Sequence, residues 1–192
     1  MNSITQNPEP ILSKYNLQII KSQIITKKTI KHELKIEKFP IIIKPQNKNK
    51  TQKQQTIICN NIKETYTKIS NLLNQNPNIE IIIEEKINYK KKFQITINQN
   101  KITNEPKLTF SNKELTRTIE IDKIIGIETI KLQGLTFDFD FTNKEFNNFK
   151  TTVKELYKCY TENNLKELNI NKLILTKKNK FIIQNYTIIT FA

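Results

Sequence analysis

The sequence predicts a mainly β protein of the α+β kind, in which antiparallel strands are closed by a C-terminal amphipathic helix. Three observations predict it. Apolar and polar residues alternate with period two in short runs along much of the 192 residues, the pattern of strands with one wet face. Isoleucine, whose branched side chain suits a pleated surface, is the commonest residue at 35. Only two segments have helical spacing, and the second opens on a complete capping signal.

From Tyr15 to Ile43, Ile and Leu are interleaved with Lys, Gln and Thr, as in Ile30-Lys31-His32-Glu33-Leu34-Lys35-Ile36, which predicts short strands. Pro40 and Pro45 bracket Ile41-Ile42-Ile43 and confine it to an edge or to a short strand. Residues 46–55 are wholly polar and predict a solvated loop. A helix follows, with Asn60 or Asn61 as N-cap, Glu64 in its first turn, and Ile62, Tyr66, Ile69, Leu72 and Leu73 along one face. It stops at Asn76-Pro77. Strands are expected at 79–85, 93–98, 107–110, 118–121, 127–132 and 135–141, with turn residues between them. Thr142 and Glu145 then have the spacing of a capping box. Phe146, Phe149, Val153, Leu156, Tyr157 and Tyr160 form the apolar stripe behind it. After Asn163-Asn164, residues 172–176, 180–184 and 186–191 read as short strands, with Lys177-Lys178-Asn179 at a turn.

The net charge is +14, but Ile, Lys and Asn codons are nearly all A and T, so an AT-rich genome inflates it. Its distribution is more telling. Residues 1–60 carry 11 lysines against 3 acids, and residues 171–192 carry 4 lysines and no acid, whereas the middle is nearly neutral. The chain is accordingly divided into a basic N-terminal arm with short strands (1–60), a helix plus β body (61–164) and a basic C-terminal β extension (165–192). No signal peptide and no run of apolar residues long enough for a membrane span is present, so an intracellular, cytoplasmic or nuclear protein is expected. Cys59 and Cys159, a hundred residues apart, form no metal spacing and are expected to be reduced and buried.

The strand–turn–strand Thr118-Ile119-Glu120-Ile121-Asp122-Lys123-Ile124-Ile125-Gly126-Ile127, and the run Leu135-Thr136-Phe137-Asp138-Phe139-Asp140-Phe141 leading into the Phe146–Tyr160 stripe, carry a resemblance. Over 79–161 the chain resembles a pleckstrin-homology-like domain, in which two antiparallel sheets pack and one helix closes the barrel. It departs from that family in having Phe149 where a buried Trp is frequent, and in continuing about 30 residues beyond the helix. The resemblance places Lys90-Lys91-Lys92 in the first hairpin, where lipid-binding members meet phosphoinositide headgroups.

Chemistry is sparse. Asp138 and Asp140 alternate with Phe137, Phe139 and Phe141, which gives a cation or acid/base pair one reading and a half-buried strand the simpler one. Glu80, Glu84 and Glu85 read as exposed ends of a buried strand. His32, with no second His or Cys nearby, supports neither a metal site nor a triad, and only Cys59 brought to it in space would make a nucleophile. Two glycines leave no phosphate loop. No catalytic residue, metal site, cofactor or small-molecule substrate is expected.

What remains is binding. The sequence predicts a non-enzymatic protein associated with structured RNA in a large ribonucleoprotein, such as a ribosome-associated factor. Its anion contacts are Lys27, Lys28, Lys31, Lys35, Lys48, Lys50 and Lys53 in the first arm, Lys90, Lys91 and Lys92 in the body, and Lys177, Lys178 and Lys180 in the last arm. Lysine is a point charge suited to phosphate rather than base recognition, so rRNA-like backbone contacts and protein contacts are the expected partners. The alternative is a protein- or phosphoinositide-binding adaptor at a membrane surface.

Overall fold

The alternating runs resolve into two antiparallel sheets, each backed on one face by a helix. The computed structural model describes residues 3–4, 9–30, 34–46, 56–100, 102–103, 105–121 and 138–191. In chain order its elements are β1 (Ser3–Ile4), α1 (Glu9–Leu12), β2 (Ser22–Ile25), β3 (Ile41–Gln46), β4 (Ile57–Cys59), α2 (Ile62–Gln75), β5 (Glu80–Glu85), β6 (Tyr89–Gln99), β7 (Pro106–Ser111), β8 (Thr116–Glu120), α3 (Asn143–Glu162), β9 (Leu165–Thr176) and β10 (Phe181–Thr190). They divide into a small unit, Ile20–Ile87, and a large unit made of Met1–Ile19 and Asn88–Ala192.

The small unit holds four strands in the order β2-β5-β3-β4. Its core consists of one face of that sheet, with Ile25, Ile41, Ile43, Cys59, Ile81 and Ile83, packed on Ile69 and Leu73 of α2. The start of α2 is as expected: the Asn61 side chain accepts from Glu64 N at 2.9 Å. Its buried face is rotated from the expected one. Thr65 is buried, its hydroxyl bonded to Asn61 O at 2.8 Å, while Ile62 and Tyr66 are partly exposed, at 43% and 36%. Ile41–Ile43, expected at an edge or in a short strand, is in a short strand that is not at the edge. β3 lies between β5 and β4, with β4 paired to Ile41–Ile43 and β5 paired along the whole of β3, Pro45 included.

The large unit holds six strands in the order β1-β10-β9-β6-β7-β8. Alternate residues on one face (Phe93, Ile95, Ile97, Leu108, Phe110, Leu168 and Ile170 among them) join Phe149, Val153, Leu156, Cys159 and Tyr160 of α3 in one core. The capping box forms as expected, with Glu145 N donating to the Thr142 hydroxyl at 3.3 Å and Thr142 N to the Glu145 carboxylate at 3.0 Å. The N-terminal segment is tied to the far end of this helix, where the Tyr15 hydroxyl donates to Glu162 at 3.0 Å and accepts from Asn163 at 2.7 Å.

The mainly β, antiparallel character is as expected, but the pleckstrin-homology-like arrangement is not. Residues 79–161 do not make one body: β5 belongs to the small sheet, whereas β6, β7, β8 and α3 belong to the large unit. The helix closes no barrel at a chain end; it is followed by β9 and β10, strands of the sheet it covers. The strand expected at 127–132 and the first three residues of that at 135–141 lie outside the described residues, and residues 138–140 form a turn with Asp140 at φ 49° instead of a strand. No strand forms over Leu34–Glu37 either.

Both cysteines are free and fully buried. Burial raises the Cys59 thiol pKa and pushes that of Cys159 up to about 12. A maleimide at pH 7 should therefore label neither in the native chain and both in denaturant; rapid native labelling would show that the packing around them is wrong. Among the described residues no helix is long and apolar enough to cross a membrane.

Candidate functional site

The two sheets each turn a second face away from their helix, and these faces differ in chemistry. In the small unit, strand alternation that sends Ile41 and Ile43 to the core sends Ile42 and Lys44 the other way. Register then places Ile42 beside Ile58 and Glu84, and Lys44 beside Ile82, which itself lies beside Ile24. The result is an isoleucine surface around one ion pair. Ile24 is 56% and Ile58 44% exposed, on a face that carries no helix among the described residues. Lys44 Nζ donates to the Glu84 carboxylate, and Glu84 is only 8% exposed. Glu84, expected as an exposed strand end, is therefore buried beside its lysine. The available signal was Lys44 itself, a lysine in phase with Ile42 directly after three isoleucines.

The corresponding face of the large sheet is polar across five strands. One row across it reads Thr187, Asn169, Thr96, Thr109 and Thr118, and the next reads Glu167, Asn98, Lys107 and Glu120. Neighbours bond within the first row: Thr96 Oγ1 to Asn169 Oδ1 at 3.3 Å, and Thr109 with Thr118 at 3.2 Å. Asn171 reaches Thr187 Oγ1 at 3.2 Å. Asn98 Oδ1 in the second row is buried without a partner among the described residues. Among those residues, too, no group of three or more His, Cys, Asp or Glu is gathered for a metal ion.

The lysines expected as anion contacts are dispersed. Lys27 and Lys28 lie in the turn after β2 and Lys35 in an irregular segment, all exposed. Lys31, Lys48, Lys50 and Lys53 fall outside the described residues, as does His32. Lys90, Lys91 and Lys92 are in β6 rather than in a hairpin turn. Two of the three are engaged: Lys90 Nζ donates to Glu145 at 2.9 Å and to Asn179 at 2.7 Å, and Lys91 Nζ to Phe139 O at 3.0 Å and the Asp140 carboxylate at 3.2 Å. Lys177, Lys178 and Lys180 are exposed at the β9–β10 turn, where a turn was expected. The Asp138–Asp140 pair is not brought together on a cation. Asp138 is gripped by Arg117, whose Nε and Nη2 donate at 2.6 and 3.2 Å, and this hydrogen bonding lowers the carboxyl pKa.

No protein-family model matches the sequence, and no curated protein matches it significantly. The fold, in contrast, is similar to solved structures. One is the Ca. Korarchaeum cryptofilum dinucleotide-forming acetyl-coenzyme A synthetase 1 in complex with coenzyme A, Ca-AMPCP and HgCl+, at TM-score 0.65 and 14% identity over 99% of this chain and 93% of that one. A second is ATP citrate lyase from Methanothrix soehngenii with citrate and coenzyme A, at TM-score 0.63 and 10% identity over 88% of this chain and 44% of that one. A third is N5-carboxyaminoimidazole ribonucleotide synthetase in its ADP complex, at TM-score 0.56 and 10% identity over 93% and 42%. The chain thus spans less than half of the latter two. At such identities the likeness is one of fold.

That fold overturns the pleckstrin-homology resemblance, and the functional expectations go with it. The adaptor and phosphoinositide reading rested on a first-hairpin lysine cluster that is instead strand residues largely paired within the protein. Association with RNA in a ribosome-like assembly, a non-enzymatic role and the exclusion of a small-molecule substrate are corrected likewise, because the three similar structures named above are of enzymes in complex with small molecules.

Proposed function

We propose that the chain is an ATP-grasp-like, enzyme-like domain that binds an adenosine phosphate on the small unit. The observation that carries this reading is the isoleucine face around Lys44. A purine ring is flat and apolar on its faces, and laying it over Ile24, Ile42 and Ile82 removes exposed hydrocarbon from water. Lys44 supplies the compact cation a phosphate needs. In the free protein Glu84 holds that ammonium in place, and a phosphate then competes for it from the solvent side. The ligands of the similar structures support the same class, since coenzyme A, AMPCP and ADP each contain an adenosine phosphate.

Calorimetric titration with ATP, ADP and coenzyme A in the presence of Mg²⁺ tests it. Lys44→Met should weaken binding about 10- to 100-fold, the loss of one charge-assisted hydrogen bond. Because that change strands a buried carboxylate, Ile58→Glu is the companion variant: its site is exposed, so it should fold normally, yet it sets a negative charge beside the phosphates. Wild-type affinity in both folded variants, or no binding by the wild type, would sink the reading.

A further inference from the structure

The turn between β9 and β10 holds several like charges in a fixed frame that nothing in the reading above uses. Thr176 N donates to Lys180 O at 2.9 Å, Asn179 N to Thr176 O at 3.0 Å, and Lys180 N to Thr176 Oγ1 at 3.1 Å. Asn179 takes the left-handed conformation, φ 61°, which asparagine tolerates better than most residues. Two further groups clamp it from outside the turn: Lys90 Nζ at 2.7 Å on its side chain, and Asn148 Nδ2 of α3 at 2.7 Å on its carbonyl. Lys177, Lys178 and Lys180 project from this frame into solvent, and none of them is in an ion pair among the described residues. Lys144 lies one helical turn before Asn148, on the same side of α3. Among the described residues, the carboxylate tied to this region, Glu145, already accepts from Lys90 and from Thr142.

We propose that this turn is a second anion site, on the large unit, for a multiply phosphorylated small molecule. Like charges on a mobile loop separate at little cost, but here the backbone is fixed and their repulsion is relieved by a bound polyanion. The frame also removes most of the ordering entropy that a loop pays on binding. Three lysines on a five-residue turn span on the order of 10 Å, the reach of a di- or triphosphate or of a pyrophosphate with one further phosphate. The absence of arginine here favours phosphate oxygens met by point charges over planar, forked recognition of a carboxylate. The site is independent of the adenosine-phosphate face: it lies on the other unit and requires no base.

The test uses the full chain with two probes, inorganic triphosphate and coenzyme A. Either should protect Lys177 and Lys178 from amine acetylation, read by peptide mass, and should do so equally in the Lys44→Met variant. The triple variant Lys177→Gln, Lys178→Gln, Lys180→Gln should weaken binding at this site by roughly 10- to 100-fold at low salt. Protection by triphosphate identifies free polyphosphate as sufficient, whereas protection by coenzyme A alone shows that its spaced phosphates are required. A control triple of equal charge, Lys14→Gln, Lys27→Gln, Lys28→Gln, should be silent. No protection by either probe overturns the proposal, as does an equal loss in the control, which would reduce the effect to net charge. Loss of nucleotide binding in Lys44→Met with the protection intact would separate this site from the small unit's.

Discussion

Replacing Phe149 by alanine is expected to destabilise the large unit by about 3–5 kcal/mol, the range for truncating a fully enclosed aromatic side chain. Phe149 is 0% exposed. Its ring lies 4.6 Å from that of Phe110, 5.3 Å from Phe141 and 5.6 Å from Phe181, so it joins a β7 ring, a ring from the segment before α3 and a β10 ring. Those neighbours also contact one another through Phe93, which is 4.9 Å from Phe110 and 6.1 Å from Phe181. They cannot all collapse into the space without giving up their own contacts, and a cavity remains. Urea unfolding followed by near-ultraviolet circular dichroism reads the effect in the correct unit, since Tyr66 is the only tyrosine outside the large unit. A loss below about 1 kcal/mol would mean that α3 does not pack as described.

Glu145 gives the second large effect, and it should depend on pH. The carboxylate is buried, and burial alone raises its pKa. The hydrogen bonds from Lys90 and from Thr142 lower it by more, so the net shift is downward from 4.5. A carboxylate whose folded pKa lies below its unfolded one binds fewer protons when folded. Its stabilisation is therefore complete above pH 4.5 or so and is lost as the pH falls through the folded value. Glu145→Ala removes the cap partner of Thr142 and leaves the Lys90 ammonium without its carboxylate. At neutral pH the expected cost is about 2–3 kcal/mol, moderated because Lys90 is partly in water. Glu145→Gln should retain part of the cap and flatten the acid limb of the stability curve. An unchanged slope between pH 5 and 3 in that variant would show that the pair contributes nothing to acid unfolding.

Much of the secondary structure was legible because its causes are local. The capping box needs only Thr142 and Glu145 three residues apart, and the α3 stripe needs only the helical period, so Phe149, Val153, Leu156 and Tyr160 were placed correctly in the core. The Asn61 cap and the alternations in β5, β6, β7 and β8 follow for the same reason. Local signals also mislead where tertiary packing rotates an element. Tyr66 fits the apolar face of α2 by spacing, yet the buried position went to Thr65, which keeps its hydroxyl satisfied by bonding back to Asn61 O.

The sequence by itself determined that this chain is mainly β, antiparallel, with one well-capped helix, and that its charge is uneven. Only the tertiary structure decided which strands share a sheet, and with it every candidate site. Period two says that Ile42 and Lys44 share a face, but the partners across that face, Glu84, Ile82 and Ile24, come from strands 20 to 40 residues away, through register that no local pattern encodes. The same holds for the lysines. As a run in the sequence, Lys90-Lys91-Lys92 looks like free charge, and the fold commits two of them to Glu145 and Asp140, about 50 residues downstream. Asn179 does the reverse: it holds a turn whose lysines stay in solvent, because its contacts with Lys90 and Asn148 exist only once β6, α3 and the β9–β10 turn have come together.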